Sequence, residues 1–288
     1  MRLREVLERG AAQLRAGPHS EKARLDAETL LLHQTGKNRA WLIAHMDDDF
    51  AGCKAIGYAA HLDRRAKGEP IQYILGECEF YGLLFRVTPD VLIPRPETEV
   101  LVEKAVQLAP IFARGAKRFP PRILDVGTGS GAIAISIAHD WSNAQVTAVD
   151  DSAAALEVAR SNAARLGFAE RMHFLQGDLL APVAGEEFDL IVSNPPYVPT
   201  RDRDSLAAEV REYEPAVALF AEEDGLAIYR RLIPAARVAL SQCGYIALEI
   251  GYGQADAICD LLRSAGFEHI EFTPDLQGIP RVAMARRP

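Results

Sequence analysis

Long apolar runs are the first thing this sequence lacks. No uninterrupted stretch reaches the ~18 residues of a membrane-spanning helix. The opening MRLREVLERG holds no apolar core of a secretory signal. A cytoplasmic protein with no membrane attachment is therefore expected. Cysteine is scarce as well: Cys53, Cys78, Cys243 and Cys259 show no C-x-x-C spacing, and the seven histidines are scattered. That argues against a disulfide framework and a zinc site, so no metal is expected. Positive charge is the third shortage, with 32 Lys+Arg against 40 Asp+Glu and a net charge of -8. The deficit is uneven. Residues 1–75 carry 12 Lys+Arg against 10 Asp+Glu, leaving 20 against 30 for the remainder. So acidic a body is a poor grip on a phosphate backbone, and no direct nucleic-acid partner is expected.

What is present is ordinary globular material, 49% hydrophobic and 25% charged, long enough for one large domain and one small one. Residues 1–70 read as a small helical bundle. Leu3, Val6, Leu7, Ala11 and Leu14 recur at helical spacing. Gly17-Pro18 breaks that helix; Ser20, Asn38 and Asp49 can cap three more. Residues 71–95 change period, are rich in aromatic and β-branched side chains, and read as a β-hairpin connector. Pro96 then suits the first turn of a helix whose positive end welcomes Glu97 and Glu99 and which runs to about Gln107. From residue 120 strands alternate with helices, the pattern of an α/β fold with a mostly parallel sheet covered on both faces. HIEFTPD and RVAMARR suggest an antiparallel closing pair. The expected organisation is thus 1–70 helical, 71–95 connector and 96–288 a Rossmann-like domain.

Asp125-Val126-Gly127-Thr128-Gly129-Ser130-Gly131 follows one of these strands and opens a helix. Such a turn uses glycine because the backbone takes unusual angles and comes close to a ligand. Asp150 ends the next strand, where a carboxylate can accept both ribose hydroxyls of an adenosine. Asp178 ends the strand after that and could accept an adenine amino group; it is followed by Leu179. A dinucleotide enzyme would share much of this. Yet the glycines alternate at 127, 129 and 131, without the G-x-G-x-x-G pyrophosphate cradle. A nucleotide cofactor lacking phosphates fits better, and S-adenosyl-L-methionine is one. Its amino-acid end would lie over Gly127, Thr128, Gly129, Ser130 and Gly131, with Asp125 near the ammonium. The bland alternative for the loop is a tight strand–helix turn, for Asp150 a polar strand end, and for Asp178 a loop turn in Gly177-Asp178.

The apolar run Phe188–Ser193 ends in Asn194-Pro195-Pro196-Tyr197. Ligands in open α/β sheets gather at the carboxyl ends of strands, where this tetrapeptide and the glycine loop both fall. Two prolines stiffen the backbone and remove two N–H donors. That leaves a row of acceptors, the Asn194 side-chain oxygen and the Pro195 carbonyl, suited to a planar NH2. Two acceptors gripping its hydrogens can aim the nitrogen at a methyl donor and favour the positive charge that develops there. Tyr197 can stack on a flat amide or base. Direct in-line transfer needs no metal and no covalent intermediate. An amide and an adenine amino group meet these demands equally well. The bland alternative is a proline-stiffened loop without a role.

These segments together resemble the HemK/PrmC family, the peptide chain release factor glutamine methyltransferases. The resemblance spans nearly the whole chain. It is carried by Asp26-Ala27-Glu28, by Gly68-Glu69-Pro70-Ile71-Gln72-Tyr73-Ile74, by Ile93-Pro94-Arg95-Pro96-Glu97-Thr98-Glu99, by the glycine loop, by the tetrapeptide, and by Gly278-Ile279-Pro280-Arg281. It implies a class I S-adenosylmethionine-dependent methyltransferase fold. The implied substrate is the glutamine of the Gly-Gly-Gln motif in bacterial class 1 release factors, the partner proteins of a monomer whose helical domain binds them. Implied cofactor contacts are Gly127 to Gly131, Asp150, Asp178, Leu179 and Asn194; substrate contacts are Asn194, Pro195, Pro196 and Tyr197. Leu179 departs from relatives, where that position is often aromatic. Arg95 would shape the cofactor pocket from the side. Three other readings stand beside this one. A ribosomal-protein glutamine methyltransferase shares the tetrapeptide, but Pro96-Glu97-Thr98-Glu99 favours release factors. An adenine-N6 methyltransferase is disfavoured by the acidic body, and a non-catalytic binding module by the intact motifs.

Overall fold

The structure, a computed structural model, describes residues 1–115 and 120–288. The chain divides into two compact units, Met1–Glu77 with Ala207–Tyr213, and Cys78–Leu206 with Glu214–Pro288.

The first unit is built on α1 (Leu3–Arg15), α2 (Ala23–Thr35), α3 (Arg39–Ala44), α4 (Cys53–Ala66) and α5 (Ile71–Leu75). Leu3, Val6, Leu7, Ala11 and Leu14 of α1 all enter its core, packing with Leu30 and Leu31 of α2 and with Tyr58 and Leu62 of α4. The Asn38 side chain accepts from the Trp41 N–H at 2.9 Å and caps α3 as expected. Ser20 instead opens a short 3-10 turn ahead of α2. Asp49 does not cap α4: its backbone bridges Arg2, and α4 starts after Gly52. The segment 71–75 is helical, not the start of a hairpin. Its apolar run is too short for periodicity to separate helix from strand; Pro70 precedes it, and Gly76 closes it at φ +76. Replacing Asn38 with Ala is expected to cost about 1 kcal/mol, read as a lowered denaturant midpoint with an unchanged slope.

In the second unit β1 (Glu77–Phe80) and β2 (Leu83–Arg86) form the hairpin. Tyr81 and Gly82 at its tip both have positive φ, the requirement of a type I′ turn. Glu99, expected to serve a helix start, also accepts from the Tyr81 N–H at 2.9 Å. Pro96–Thr98 make a 3-10 turn leading into α6 (Glu99–Val106), followed by α7 (Ala109–Gly115). Then β3 (Arg122–Val126), α8 (Ala132–Asp140), β4 (Gln145–Asp150), α9 (Ala153–Leu166), β5 (Met172–Gln176) and β6 (Phe188–Ser193) alternate as read from the sequence.

After β6 the chain supplies α10 (Ala208–Tyr213) to the first unit. There Glu209 joins Asp26 on the buried Arg65 guanidinium, at 2.9 and 2.7 Å. The second unit resumes with α11 (Ala227–Ala239), β7 (Leu240–Glu249), α12 (Ala255–Ser264), β8 (Glu268–Pro274) and β9 (Pro280–Arg286). The sheet order is β5-β4-β3-β6-β7-β9-β8, parallel from β5 to β7 and antiparallel where β9 slots between β7 and β8. Alternate strand residues face opposite cores. Leu190, Val192 and Ala247 pack with α6 and α8, whereas Ile191, Ile246 and Leu248 pack with α11 and α12. This is the doubly wound α/β methyltransferase architecture expected, with the antiparallel closing pair. The chain reverses its winding between neighbouring strands β3 and β6, the switch point at which such sheets bind ligands. Among the described residues no helix is long and apolar enough to cross a membrane.

Candidate active site

The two motifs meet because β3 and β6 lie side by side, with Val126 opposite Ser193. The residues that follow, Gly127 and Asn194, therefore leave the sheet at the same edge. The buried Ser193 hydroxyl donates to the Val126 carbonyl at 2.6 Å and ties the two strand ends together. They open onto a cavity of about 540 Å³, within the size range of cofactor sites.

The glycine loop is folded over the end of β4. Gly127 and Thr128 both donate to the Val149 carbonyl, at 2.8 and 3.0 Å. Gly127 and Gly129 line the cavity at φ +75 and +56, and a Cβ at either would meet no atom within 4 Å. The space beside them is where a ligand would sit. Gly131 has another task. It is not on the cavity wall, and a Cβ there would press on Ile135 at 3.0 Å and Ala159 at 3.3 Å, so it serves the packing of α8 against α9. Thr128 and Ser130 line the cavity with their neighbours. Asn162, fully buried, holds the loop from outside by donating to the Ser130 carbonyl at 2.9 Å while also exchanging bonds with the Arg86 backbone.

Asp150 stands at the end of β4 and lines the cavity. Its Oδ2 accepts from the Gly129 N–H at 2.8 Å and its Oδ1 from the Ser152 N–H at 2.9 Å. Each oxygen keeps a further lone pair for a ribose hydroxyl. Burial holds its pKa above the usual carboxylate value, against the pull of those two N–H groups. Asp178 and Leu179 also line the cavity. Asp178 is paired with Arg231 rather than free-standing, and Leu179 sits at φ +49, an uncommon conformation for a branched side chain. Arg95 lines the cavity too and forms an ion pair with the buried Glu214 carboxylate.

Asp125, expected beside the ammonium, is fully buried and absent from the cavity wall. Its Oδ2 accepts from the Thr128 hydroxyl at 2.7 Å, and its Oδ1 has no partner. Burial pushes its pKa up to about 7, Thr128 opposes the rise, and Asp150 adds to it. The folded chain thus holds this proton more tightly than the unfolded chain. Stability contributed by the group is full below 3.8 and is lost as pH rises through about 7. Asp125→Asn keeps the Thr128 bond and removes the titration. Thermal melts at pH 5 and 8 are expected to show a smaller loss of stability at the higher pH than in the parent, a difference on the order of a few kcal/mol. An unaltered difference would refute the assignment.

Asn194, Pro195 and Pro196 line the cavity. Asn194 Nδ2 donates to the Thr98 hydroxyl at 3.2 Å. Tyr197 is not on the wall. Its hydroxyl donates to Glu249 at 3.3 Å, and its carbonyl accepts from Gln254 Nε2 at 3.1 Å. Glu249 is a residue the sequence did not single out, and Thr98 stood out only as part of the segment 93–99, with no role of its own. Glu249 carries a faint signal, a lone carboxylate closing the apolar run Tyr245–Leu248 much as Asp150 closes β4. Among the described residues no group of three or more His, Cys, Asp or Glu could hold a metal ion.

Residues 109–212 match the family described as methyltransferase small domain, and residues 5–76 the family described as PrmC N-terminal domain. A release factor glutamine methyltransferase of Moorella thermoacetica is 44% identical, the alignment covering 100% of this chain and 99% of that one. Another, of Geobacter sulfurreducens, is 43% identical over 92% of this chain and 90% of its own. A solved methyltransferase of Pyrococcus furiosus is 20% identical with a TM-score of 0.52, covering 72% of this chain and 90% of that one, and speaks to the fold.

Proposed function

The chain belongs to the release factor glutamine methyltransferase family, and from that membership we infer that it transfers a methyl group from S-adenosyl-L-methionine to the side-chain amide nitrogen of the glutamine in the Gly-Gly-Gln motif of bacterial class 1 release factors. The observation that carries this reading is the shared mouth of the two motifs. Gly127 and Asn194 leave adjacent strands and open onto one cavity.

The residues fit the cofactor. Gly127 and Gly129 leave open space on the cavity side, and Asp150 offers a cavity-lining carboxylate beside the loop it pins. When bound, S-adenosyl-L-methionine supplies a methyl group made electrophilic by the positive sulfonium. Everything else falls to the chain. Asp150 accepts the ribose hydroxyls, Asp178 and Leu179 flank the base, and the loop from Gly127 to Ser130 passes beside the amino-acid end, with Gly131 holding the turn in place. An amide nitrogen is a weak nucleophile because its lone pair is delocalised. The Asn194 oxygen and the Pro195 carbonyl accept its two hydrogens, present the nitrogen along the line of transfer and stabilise the charge it gains. Pro195 and Pro196 keep those acceptors from drifting. Tyr197 contributes by anchoring the tetrapeptide through its hydroxyl. The first unit grips the release factor beyond its glutamine loop. With this reading go a monomer at work in the cytoplasm and a protein target, not a nucleic acid.

Mass spectrometry of a class 1 release factor, incubated with this protein and S-adenosyl-L-methionine, is expected to show a gain of one methyl group on the Gly-Gly-Gln peptide. No gain there, with transfer to a ribosomal protein or to adenine in nucleic acid, would overturn the assignment.

A further inference from the structure

The tetrapeptide is fixed to the sheet at its start, where Ser193 ends β6 and is tied to the end of β3. Pro195 and Pro196 stiffen its middle, but stiffness alone does not place it. A rigid link held at one end pivots, and the Pro195 carbonyl would pivot with it. A second anchor on the main chain must therefore follow Pro196. The Tyr197 hydroxyl on Glu249 holds the far end of a rotatable side chain, not the backbone.

The main chain is held by Gln254, the residue before α12. Its Oε1 accepts from the Gly251 N–H at 2.9 Å. Its Nε2 donates to the Tyr197 carbonyl at 3.1 Å and to the Gly225 carbonyl at 3.3 Å. A primary amide carries two hydrogens on nitrogen, and both are spent on main-chain carbonyls. All three partners are backbone groups whose roles cannot reverse. A flipped amide would set oxygen against two carbonyls and nitrogen against an N–H, so the side chain has one workable orientation. Tyr197 and Gly225 also flank the excursion 198–224, which brings Pro215, Val217 and Ala218 to the cavity wall. One NH2 thus closes the base of that excursion and holds the last residue of the tetrapeptide.

Two glycines make room for this clamp. A Cβ on Gly225 would stand 2.3 Å from the Tyr197 carbonyl oxygen and 2.8 Å from Gln254 Nε2. A Cβ on Gly251 would stand 2.9 Å from Gln254 Oε1 and 3.0 Å from Tyr197 Cδ2. A side chain at either position must displace the clamp or the tyrosine. Gln254, Gly225 and Gly251 do not line the cavity, so any influence on transfer passes through the tetrapeptide. We propose that Gln254, in the space left by Gly225 and Gly251, is a positioning residue for methyl transfer. By holding the Tyr197 carbonyl it sets the Pro195 carbonyl where that group accepts a hydrogen of the substrate amide. The proposal rests on the reading of Asn194 and Pro195 as the grip on that amide.

The test uses the full chain, a class 1 release factor and S-adenosyl-L-methionine at about pH 8, where a glutamate is ionised. Turnover is expressed per cofactor site counted by calorimetry, so that loss of folded protein does not register as loss of rate. Gln254→Glu keeps the size of the side chain and the acceptor for Gly251, but sets a carboxylate against the Tyr197 and Gly225 carbonyls. It is expected to lower kcat about 10- to 100-fold, the effect of a reacting group displaced by ~1 Å, with the cofactor Kd within about two-fold of the parent. A role confined to the turn before α12 predicts parental kcat in Gln254→Glu, because the Gly251 bond survives. Gly251 lies outside the left-handed region, so Gly251→Ala changes the contact without backbone strain; about a ten-fold loss of kcat is expected. Parental kcat in Gln254→Glu, or a loss confined to cofactor affinity, overturns the proposal. If Gln254→Glu does not fold, parental kcat in Gly251→Ala overturns it. Full activity of Asn194→Ala would overturn the underlying reading instead; its loss alongside an unaffected Gln254→Glu would overturn this inference alone.

Discussion

Asn194→Ala is expected to lower turnover on a release factor by about two to three orders of magnitude, the usual consequence of deleting one preorganised polar contact to a developing charge. Cofactor affinity should fall far less, because the loop from Gly127 to Ser130 and Asp150 remain. The argument is geometric. Asn194 follows directly from a fully buried strand, its nitrogen is held by Thr98, and Pro195 and Pro196 forbid the loop from moving to compensate. Alanine removes the side-chain acceptor and leaves the Pro195 carbonyl to hold one hydrogen of a group that needs both restrained. Single-turnover methylation measured beside calorimetric cofactor binding separates the two effects. Turnover equal to the parent would dismiss Asn194 as the grip; a loss confined to cofactor affinity would make it a cofactor residue only.

Asp150→Ala is expected to produce the converse pattern, a cofactor Kd raised about 30- to 1,000-fold and a smaller change in turnover at saturating cofactor. A hydrogen bond to a charged group contributes about 1.5–3 kcal/mol. Two ribose hydroxyls on one carboxylate give a combined loss of about 2–4 kcal/mol once water replaces the missing partner. The structure adds a second route to the same loss. Asp150 holds the Gly129 N–H at 2.8 Å and the Ser152 N–H at 2.9 Å, so alanine also frees the loop and the start of α9. Calorimetry with S-adenosylhomocysteine, which keeps the ribose and loses the sulfonium charge, isolates this contribution. An unchanged Kd would show that the ribose lies elsewhere.

Much of the fold was legible because its central strands are buried on both faces. Ile123–Val126 and Phe188–Ser193 read as short apolar runs closed by turn residues, and the helices between them carry helical spacing. Their ends pointed to the right edge of the sheet, which is why the loop and the tetrapeptide were found together. Local signals failed where several conformations share one pattern. Ile71–Leu75 could be strand or helix on its apolar character, and tertiary packing with Pro70 and Gly76 at its ends decided for helix. Asp49 has the chemistry of a cap, but Gly52 lies closer to where α4 turns inward. Asp125 and Asp150 lie on the same face of neighbouring strands, yet Asp125 stands one residue short of its strand's end and is buried, whereas Asp150 ends its strand and reaches the cavity. Thr98, as a residue in its own right, and Glu249 escaped notice for a different reason. Each is a single polar residue with no partner nearby in sequence; the pairing of β6 with β7 brings Glu249 to the tetrapeptide, and Thr98 arrives from the turn before α6.

The excursion of Ala207–Tyr213 bears on how such a protein can be cut and joined. A fragment ending at Glu77 would contain the five helices that look like a freestanding module, but it would leave Arg65 with the Asp26 carboxylate and the Glu69 carbonyl and without the Glu209 carboxylate. Exchange of the amino-terminal part between relatives must therefore carry a second, distant stretch of the gene with it. That stretch lies just downstream of the tetrapeptide, so recombination that respects one boundary and ignores the other would scramble the partner of a buried cation.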